Sequence, residues 1–329
     1  MIKTVVLPEA GAKTLEDLDL TFDLEGAINT LRKEMNAVIL AHYYQEGPLQ
    51  DIADFTGDSL DLSRKAAETD ADVIVFCGVK FMAETAKILS PNKTVLLPDQ
   101  KAGCSLEMSC PPDEYRTWRD EHPDHIAVTY INSSAEVKAA SDIICTSSNA
   151  VDIINQIPAD QPILFSPDKY LGAFVQQQSG RDNIKLWQGT CIVHEQFSGR
   201  ELAKLKVQHP DAKTIVHPES PGDVIALADF VGSTRKLLNY ISDNPARTFI
   251  VGTESGILHQ MQKAEPAKEF LVAPGNDGSC DCANCPYMKL NSMEKLYLCM
   301  VNQAPRIELD ENLRQQAQKS LQRMLDMSK

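Results

Sequence analysis

Several absences limit what this 329-residue chain can do. Nowhere do about 18 apolar residues run together, so the sequence predicts no helix that could cross a membrane. No block of lysine and arginine stands out, and 32 basic against 46 acidic residues give a net charge of −14, which argues against nucleic acid or an anionic membrane as a partner. Neither GxGxxG nor GxxxxGK followed by Ser or Thr occurs, so a dinucleotide or a nucleoside triphosphate is not an expected ligand.

The beginning of the chain lacks the pattern of a secretory signal, because the apolar run in MIKTVVLPEA is brief and no small-residue cleavage pattern follows a long one. We therefore expect a cytoplasmic protein. Nine cysteines in such a compartment are normally reduced, so metal binding or catalysis explains the closely spaced ones better than disulfides do. Three of them, Cys280, Cys282 and Cys285, lie within six positions of the segment GSCDCANCPYM.

The sequence repeats itself with a period of about 87 residues. Apolar runs that end in polar pairs recur 88 and 87 residues apart, at His42, Tyr130 and His217. Segments in which a strand-like run gives way to a helical one recur 88 and 86 residues apart, at Ser59, Ser147 and Ser233. Cys104 and Cys191 lie 87 residues apart, and the third equivalent position is 89 residues further on for Cys280 or 94 for Cys285.

Each repeat alternates apolar strand-like runs with segments of helical periodicity, which is typical of parallel sheets flanked by helices. We therefore expect an α/β fold of three similar αβα modules with parallel sheets, arranged around a pseudo-threefold axis. The predicted organisation is an N-terminal extension (1–25), three modules (26–109, 110–195 and 196–290) and a C-terminal helical segment (291–329).

The C-terminal segment has an apolar stripe at helical spacing, formed by Leu313, Ala317, Leu321 and Leu325. This stripe predicts a helix that docks on one of the modules. A segment for binding a partner protein is the alternative interpretation.

Polar pairs follow the first strand of each module. His42 and Tyr44, Tyr130 and Asn132, and His217 and Glu219 stand at positions i and i+2, which face the same side of a strand. In open parallel sheets, ligands bind beyond the carboxyl ends of the strands. One such pair alone is more typical of a surface or a satisfied core, but the recurrence in three modules predicts a shared polar site.

Ser59, Ser147, Ser233 and Thr234 stand where helices are expected to begin. Such residues commonly act as N-caps that satisfy the free amides of the first helical turn. The N-terminus of a helix is also an anion site, through its amides and its dipole. Three such N-termini would suit a substrate with several carboxylates or a phosphate.

The cysteine spacing points to a metal. If Cys104, Cys191 and one cysteine of the 280–285 cluster are equivalent, three thiolates converge and leave one metal position without a protein ligand. Zinc sites usually show two close ligand pairs, whereas Cys104 and Cys191 each stand alone in a glycine-containing turn. The spacing favours a [4Fe–4S] cluster with an open, Lewis-acidic iron, and zinc is the alternative. The cysteines outside the repeat are expected to be core or incidental thiols: Cys77, Cys110, Cys145 and Cys299.

At several positions the chain resembles the quinolinate synthase family. The segments that carry this resemblance, over about residues 26 to 300, are AHYYQ, GDSLDLSRKAA, CGVKFMAETAKILSP, AGCS, TSSNA, WQGTCIVHE, HPE, VGST, TESGILHQM and CANCPYMKLN. The resemblance implies an oxygen-sensitive [4Fe–4S] cluster with one open iron. It also implies a reaction of de novo NAD biosynthesis, in which iminoaspartate, made by L-aspartate oxidase, condenses with dihydroxyacetone phosphate and loses phosphate and water to give quinolinate.

The resemblance also implies roles for individual residues. Cys104, Cys191 and Cys285 would hold the cluster, although the repeat spacing alone slightly favours Cys280. Tyr44 and His42 would serve proton transfers, and Glu219 would act as general base beside His217. The substrate would be bound by His42, Ser59, Tyr130, Asn132, Ser147, His217, Glu219, Ser233 and Thr234. Cys280 and Cys282 would be a redox pair or have no role, and their CxC spacing departs from the CxxCxxC of some family members.

Two alternatives remain at this point. A hydro-lyase that uses the same open iron on another hydroxy acid would lack activity with triose phosphate and iminoaspartate. A non-enzymatic, metal-stabilised or redox-sensing protein of three modules would show no brown colour after anaerobic preparation.

Overall fold

The computed structural model describes residues 14–17, 23–276, 278 and 283–329. Within them the chain is α/β, with three four-stranded sheets in which every strand pairing is parallel. This confirms the predicted class of three similar modules with parallel sheets. No helix in the described ranges is both long and apolar enough to cross a membrane.

The three sheets share one topology. If the strands of each sheet are numbered along the chain, their spatial order is 2-1-3-4 in every case. The sheets consist of β1–β4, β5–β8 and β9–β12. The strands are β1 Ala37–His42, β2 Phe55–Gly57, β3 Val73–Cys77, β4 Thr94–Leu96, β5 Ile126–Tyr130, β6 Ile143–Cys145, β7 Ile163–Ser166, β8 Ile184–Leu186, β9 Lys213–Val216, β10 Phe230–Val231, β11 Thr248–Gly252 and β12 Glu269–Val272.

Helices alternate with these strands. They are α1 Leu24–Glu34, α2 Gly47–Ile52, α3 Ser59–Glu68, α4 Lys80–Leu89, α5 Ser105–Met108, α6 Pro112–Asp120, α7 Ala135–Ala139, α8 Ala150–Asn155, α9 Lys169–Ser179, α10 Gly199–Gln208, α11 Gly222–Ile225, α12 Thr234–Asp243, α13 Ile257–Ala264, α14 Met293–Asn302 and α15 Glu311–Met327.

The chain divides into two compact units. The first contains the described residues up to Gly103 together with Pro286–Asp310, and the second contains the described residues of Cys104–Cys285 together with Glu311–Lys329. The boundaries of the predicted modules remain a prediction.

The first unit is built on the sheet β1–β4. Strand β1 is an almost uninterrupted apolar run, as expected of a parallel strand that is covered on both faces. Its Ile39 packs with Ile28 of α1, Val75 of β3 and Leu296 of α14 in one core cluster. Burial of each such aliphatic side chain contributes about 1.5–3 kcal/mol relative to its exposure.

The second unit contains the other two sheets and the terminal helix α15. This helix packs on α7 and β6, with Ala317, Leu321 and Met324 fully buried, and the hydroxyl of Ser320 donates a hydrogen bond to the carbonyl oxygen of Lys138 at 2.7 Å. The predicted docking of the terminal helix on a module is therefore confirmed.

The cysteines outside the repeat lie in the core. Cys77, Cys110, Cys145 and Cys299 are all buried as free thiols, which confirms the prediction for them. Cys77 and Cys145 end the strands β3 and β6, and Cys299 belongs to the apolar cluster that includes Ile39.

Candidate active site

In the first unit, His42 and Tyr44 lie together where β1 ends. The chain turns directly after His42, and its Nδ1 accepts a hydrogen bond from the backbone N–H of Tyr44 at 3.1 Å. The two rings meet edge to face at 4.5 Å. Lys289 stabilises this turn, because its Nζ donates a hydrogen bond to the carbonyl oxygen of Tyr44 at 3.0 Å. His42 is buried and Tyr44 is half-buried, so the pair is fixed by its own unit.

Ser59 is not the N-cap of its helix. Asp58 caps α3, because its side chain accepts from the amides of Leu60 and Asp61, and the Asp61 carboxylate in turn accepts from the amide of Asp58. The prediction of a serine cap is therefore wrong here, because an aspartate in the preceding position caps equally well and adds charge at the positive end of the helix. Ser59 stands at the first helical position.

In the second unit, Glu219 is the centre of a buried hydrogen-bond network. Tyr130, the last residue of β5, donates its phenolic O–H to Glu219 Oε1 at 2.6 Å. His194 Nδ1 lies 3.0 Å from Oε2 of the same carboxylate. Glu219 itself is only 3% exposed. Tyr130 therefore contacts one oxygen of the Glu219 carboxylate, and His194 contacts the other.

The electrostatics of this network keep Glu219 ionised. Burial by itself raises the pKa of the Glu219 carboxyl, but His194 and His217 beside it and the hydrogen bonds from His194 and Tyr130 outweigh burial and lower the pKa to about 2. Burial lowers the pKa of His217 to about 3, so this imidazole is neutral at pH 7. The neighbouring histidines and the hydrogen bonds from His194 and Tyr130 therefore favour the ionised form of Glu219.

His217 connects Glu219 to a serine from the second sheet. It directly follows β9, and its Nε2 lies 3.1 Å from the hydroxyl of Ser147, while its Nδ1 faces the backbone amide of Glu219 at 3.5 Å. The cap of α8 is Asn149, so Ser147 is not an N-cap as the sequence suggested. Its hydroxyl serves the histidine instead.

Ser233 and Thr234 open α12. Ser233 is the N-cap, as predicted, and its hydroxyl accepts from the amide of Lys236 at 3.4 Å and from the hydroxyl of Ser148 at 2.7 Å. Thr234 occupies the first helical position and is buried.

Several buried side-chain polar atoms in the described part of the second unit have no hydrogen-bond partner. Among them are Asn132 Oδ1, Asp168 Oδ2 and Ser220 Oγ. Buried polar atoms are nearly always paired in folded proteins, so each unpaired one calls for an explanation. A polar ligand in this region would supply the missing partners.

Asp168 is a second buried carboxyl group of this unit, and its pKa is shifted in the direction opposite to that of Glu219. It lies two residues after β7, is fully buried, and caps α9 through Oδ1, which accepts from the amide of Leu171 at 2.6 Å. Burial, and secondly the charge of Glu219, raise the pKa of Asp168 well above its ordinary value. The surroundings therefore favour the protonated form of Asp168 and the ionised form of Glu219.

Cys104, Cys191 and Cys285 are close enough to influence one another electrostatically, and each is half-buried. Burial raises the pKa of the Cys104 thiol, and Cys285 raises it further. Burial also raises the pKa of Cys191, with added contributions from Glu219 and Cys104. Thiols with raised pKa values do not ionise at neutral pH without a nearby cation, so a metal would be needed to hold them as thiolates.

Hydrogen bonds fix the turns that carry these thiols. The hydroxyl of Ser105 accepts from the amide of Ile192 at 2.9 Å and faces the carbonyl oxygen of Thr190 at 3.5 Å, so it ties the Cys104 turn to both neighbours of Cys191. Glu254 Oε1 accepts from the amide of Cys285 at 3.2 Å.

Gly189 allows a close backbone approach next to Cys191. Its amide donates to the carbonyl oxygen of Pro167 at 3.0 Å, and a Cβ added at this position would lie 2.5 Å from that oxygen and 2.3 Å from the hydroxyl of Ser109. Real Cβ atoms do not approach so closely, so the turn GTC requires glycine here.

The donor atoms suit a soft metal centre. Cys191, His194 and Glu219 form the one group of at least three possible metal ligands found in the described part of the chain, with ligand atoms within 4.8 Å of one another. Cys104 and Cys285 add two further sulfur donors nearby. Thiolate ligands select zinc, Cu(I) and iron–sulfur clusters.

Sequence reasoning missed three residues of this site, namely His194, Asp168 and Ser105. The segment WQGTCIVHE contains His194 three positions after Cys191, and this short spacing was the only signal for it. The predicted roles of Cys280 and Cys282 fall on residues outside the described ranges.

Comparison with known proteins identifies the family. The family model described as Quinolinate synthetase A protein matches residues 26–326. A quinolinate synthase from Prochlorococcus marinus is 60% identical over 317 residues, which cover 96% of this chain and 95% of that protein. Those from Microcystis aeruginosa and Synechocystis sp. are 60% and 59% identical over 306 residues, covering 93% of this chain and 95% and 96% of theirs. The chain therefore belongs to the quinolinate synthase family.

Proposed function

We propose that this chain is a quinolinate synthase, which condenses iminoaspartate with dihydroxyacetone phosphate to quinolinate in de novo NAD biosynthesis. The observation that carries the proposal is the family match over residues 26–326 together with the buried Tyr130–Glu219–His194 network beside three sulfur donors. L-aspartate oxidase would supply the iminoaspartate. The reaction would take place in the cytoplasm, where thiols stay reduced.

The donor set fits an iron–sulfur cluster as the resident cofactor. Its ligands would be Cys104, Cys191 and Cys285, since these soft donors influence one another's pKa and their turns are tied by Ser105 and Glu254. When bound, a [4Fe–4S] cluster would supply a Lewis acid for the substrate hydroxyl that leaves as water.

Glu219 is the proposed general base for enolisation and dehydration. A carboxylate with a pKa of about 2 is a weak base, because efficient bases have pKa values closer to the operating pH. Tyr130 offers a way to strengthen it. When a substrate carboxylate takes over the Tyr130 O–H, Glu219 loses its 2.6 Å hydrogen bond and becomes more basic as the substrate arrives.

The remaining polar groups would bind the anionic substrates. His217, which contacts the Ser147 hydroxyl, is neutral at pH 7. It would donate one hydrogen bond to a substrate without adding charge beside Glu219. Asn132 has a buried side-chain atom without a partner, and Ser233 and Thr234 stand at a helix N-terminus. In the first unit, Ser59 stands at the start of α3 and would serve in the same way. His42 and Tyr44 are proposed for the proton transfers on the triose, on the strength of the family resemblance and their fixed pairing.

An activity assay tests this proposal directly. The anaerobically purified chain is supplied with dihydroxyacetone phosphate and with iminoaspartate generated from aspartate by L-aspartate oxidase, and quinolinate is measured by chromatography. We expect quinolinate to form only when both substrates are present. A cluster-loaded protein that dehydrates another hydroxy acid but makes no quinolinate would contradict the proposal and favour the hydro-lyase alternative.

A further inference from the structure

His194 is the residue that joins the sulfur of Cys191 to the carboxylate of Glu219. Its Nδ1 lies 3.2 Å from Cys191 Sγ and 3.0 Å from Glu219 Oε2, and its Nε2 lies 3.0 Å from the hydroxyl of Thr253. The imidazole is only 2% exposed. One ring nitrogen therefore faces a proposed metal ligand and the proposed base at the same time.

The neighbours of the ring determine which nitrogen carries its proton. An ionised carboxylate can only accept hydrogen bonds, so Nδ1 must be the donor towards Glu219. In a neutral ring, Nε2 then accepts from Thr253, whose hydroxyl can donate. This assignment gives Nδ1 a single hydrogen for two acceptors.

Packing prevents the ring from turning to serve only one of these acceptors. His217 lies against it with ring centroids 4.8 Å apart and planes tilted by 32°, and Phe197 meets it edge to face at 6.1 Å. His194 also belongs to the short helical turn that begins three residues after Cys191. The N–H is therefore aimed into the gap between the sulfur and the carboxylate.

We propose that His194 is a positioning residue that, through its shared Nδ1–H, holds the Glu219 carboxylate in place and donates a hydrogen bond to the metal-bound sulfur of Cys191. This inference rests on the proposed function, because it assumes that Glu219 acts on the substrate and that Cys191 binds the cluster. Residues that hydrogen-bond to metal ligands tune the metal, and hydrogen bonds to cluster sulfurs are among the factors that set its reduction potential.

Two amide substitutions separate this role from simple space filling. In His194→Asn the side-chain amide nitrogen reproduces the position of Nδ1, whereas in His194→Gln it reproduces that of Nε2. The readouts are iron and sulfide content, the reduction potential of the bound cluster followed by EPR without substrate, and kcat and KM for quinolinate formation.

We expect the asparagine variant to keep a potential close to that of the wild type and kcat within about tenfold. The glutamine variant should bind equal iron but show a more negative potential, because the thiolate has lost a donor, and a kcat lower by about a hundredfold with little change in KM. Equal impairment of both variants, or an unchanged potential in the glutamine variant, would overturn the inference.

A measurement on metal-free protein tests the geometry independently of cluster loading. Nitrogen-15 NMR of the imidazoles, with His194 assigned by the signal missing from His194→Asn, should show the tautomer protonated at Nδ1. A neutral ring protonated at Nε2 would overturn the inference. Failure of the wild type to make quinolinate would instead count against the proposed function, so the two failures are distinguishable.

Discussion

At the scale of single residues, Glu219 carries the largest share of the proposed chemistry. Replacement by glutamine keeps the size of the side chain but removes the charge and the base. We expect Glu219→Gln to lower kcat by at least about a hundredfold, the usual contribution of a positioned general base, while iron content stays unchanged. The matched control is Glu195→Gln, which removes the exposed carboxylate that follows His194 in the sequence and should leave kcat within about twofold. A similar kcat in both variants would contradict the role of Glu219.

His217 gives a pH dependence of stability whose sign follows from its pKa. The imidazole has a pKa of about 3 in the folded protein and about 6.5 when unfolded, so between these values the unfolded state binds more protons. Stability therefore falls as the pH drops below 6.5, and this one group accounts for a loss of about 2 kcal/mol between pH 7 and pH 5.

Urea denaturation of metal-free protein at pH 7 and pH 5 checks this expectation. We expect His217→Gln to lose less stability than the wild type between these two pH values, because the variant lacks the titrating group. An equal loss in both proteins would show that His217 is not held neutral by burial. The window lies above the ordinary pKa of carboxyl groups, so Glu219 does not contribute to the difference.

The repeat in the sequence marked several of the residues that meet in the structure. His217 and Glu219 stand in register with Tyr130 and Asn132, and the structure brings Tyr130 against Glu219. His194 and Asp168 have no histidine or aspartate at the equivalent positions of all three repeats, so periodicity gives no signal for them. Their positions next to Glu219 arise from packing of segments distant in sequence, which a local pattern does not encode.

At the scale of elements, the turn before Cys191 depends on Gly189. Gly189→Ala would force its Cβ against the carbonyl oxygen of Pro167 and the Ser109 hydroxyl, so the turn that carries Cys191 must shift. We expect this variant to bind less than half of the wild-type iron and to melt several degrees lower. Gly222→Ala is the control, because its Cβ would meet no atom within 4 Å. Unchanged iron content in Gly189→Ala would contradict the requirement for close approach.

The terminal helix α15 allows a test of packing. Leu321 is fully buried against the module, whereas Leu325 is half-buried. Leu321→Ala should therefore destabilise the protein by about 2–5 kcal/mol, and Leu325→Ala by clearly less. Denaturant unfolding of the two variants measures the difference, and equal effects would show that the helix is not docked through this face.

The same helix illustrates what a sequence pattern resolves at this scale. The stripe of Leu313, Ala317, Leu321 and Leu325 predicted docking, but the fully buried positions are Ala317, Leu321 and Met324. A helix turns every 3.6 residues, so a strict spacing of four drifts off the buried face and position 324 replaces 325. The sequence therefore predicted that α15 docks, but not which residues border its buried face.

At the scale of the whole molecule, three sheets of identical strand order follow from one repeated pattern. The repeat preserves the strands and the places where they end, while the residues after those ends differ between modules. His42 and Tyr44 lie at the end of the first strand of the first sheet, Tyr130 and Asn132 at the end of the first strand of the second, and His217 and Glu219 just after the first strand of the third. Sequence therefore predicted the scaffold well, because apolar periodicity is repeated three times, whereas the chemistry is specific to each module.

Cys104, Cys191 and Cys285 are proposed to hold an iron–sulfur cluster, and anaerobic analysis of iron and sulfide measures whether they do. We expect about four irons and four sulfides in the wild type. Cys285→Ala should lose them, while Cys280→Ala, Cys282→Ala and the buried-thiol control Cys299→Ala should retain them. Zinc in place of iron, or a cluster lost in Cys280→Ala and retained in Cys285→Ala, would show that these three cysteines do not hold an iron–sulfur cluster.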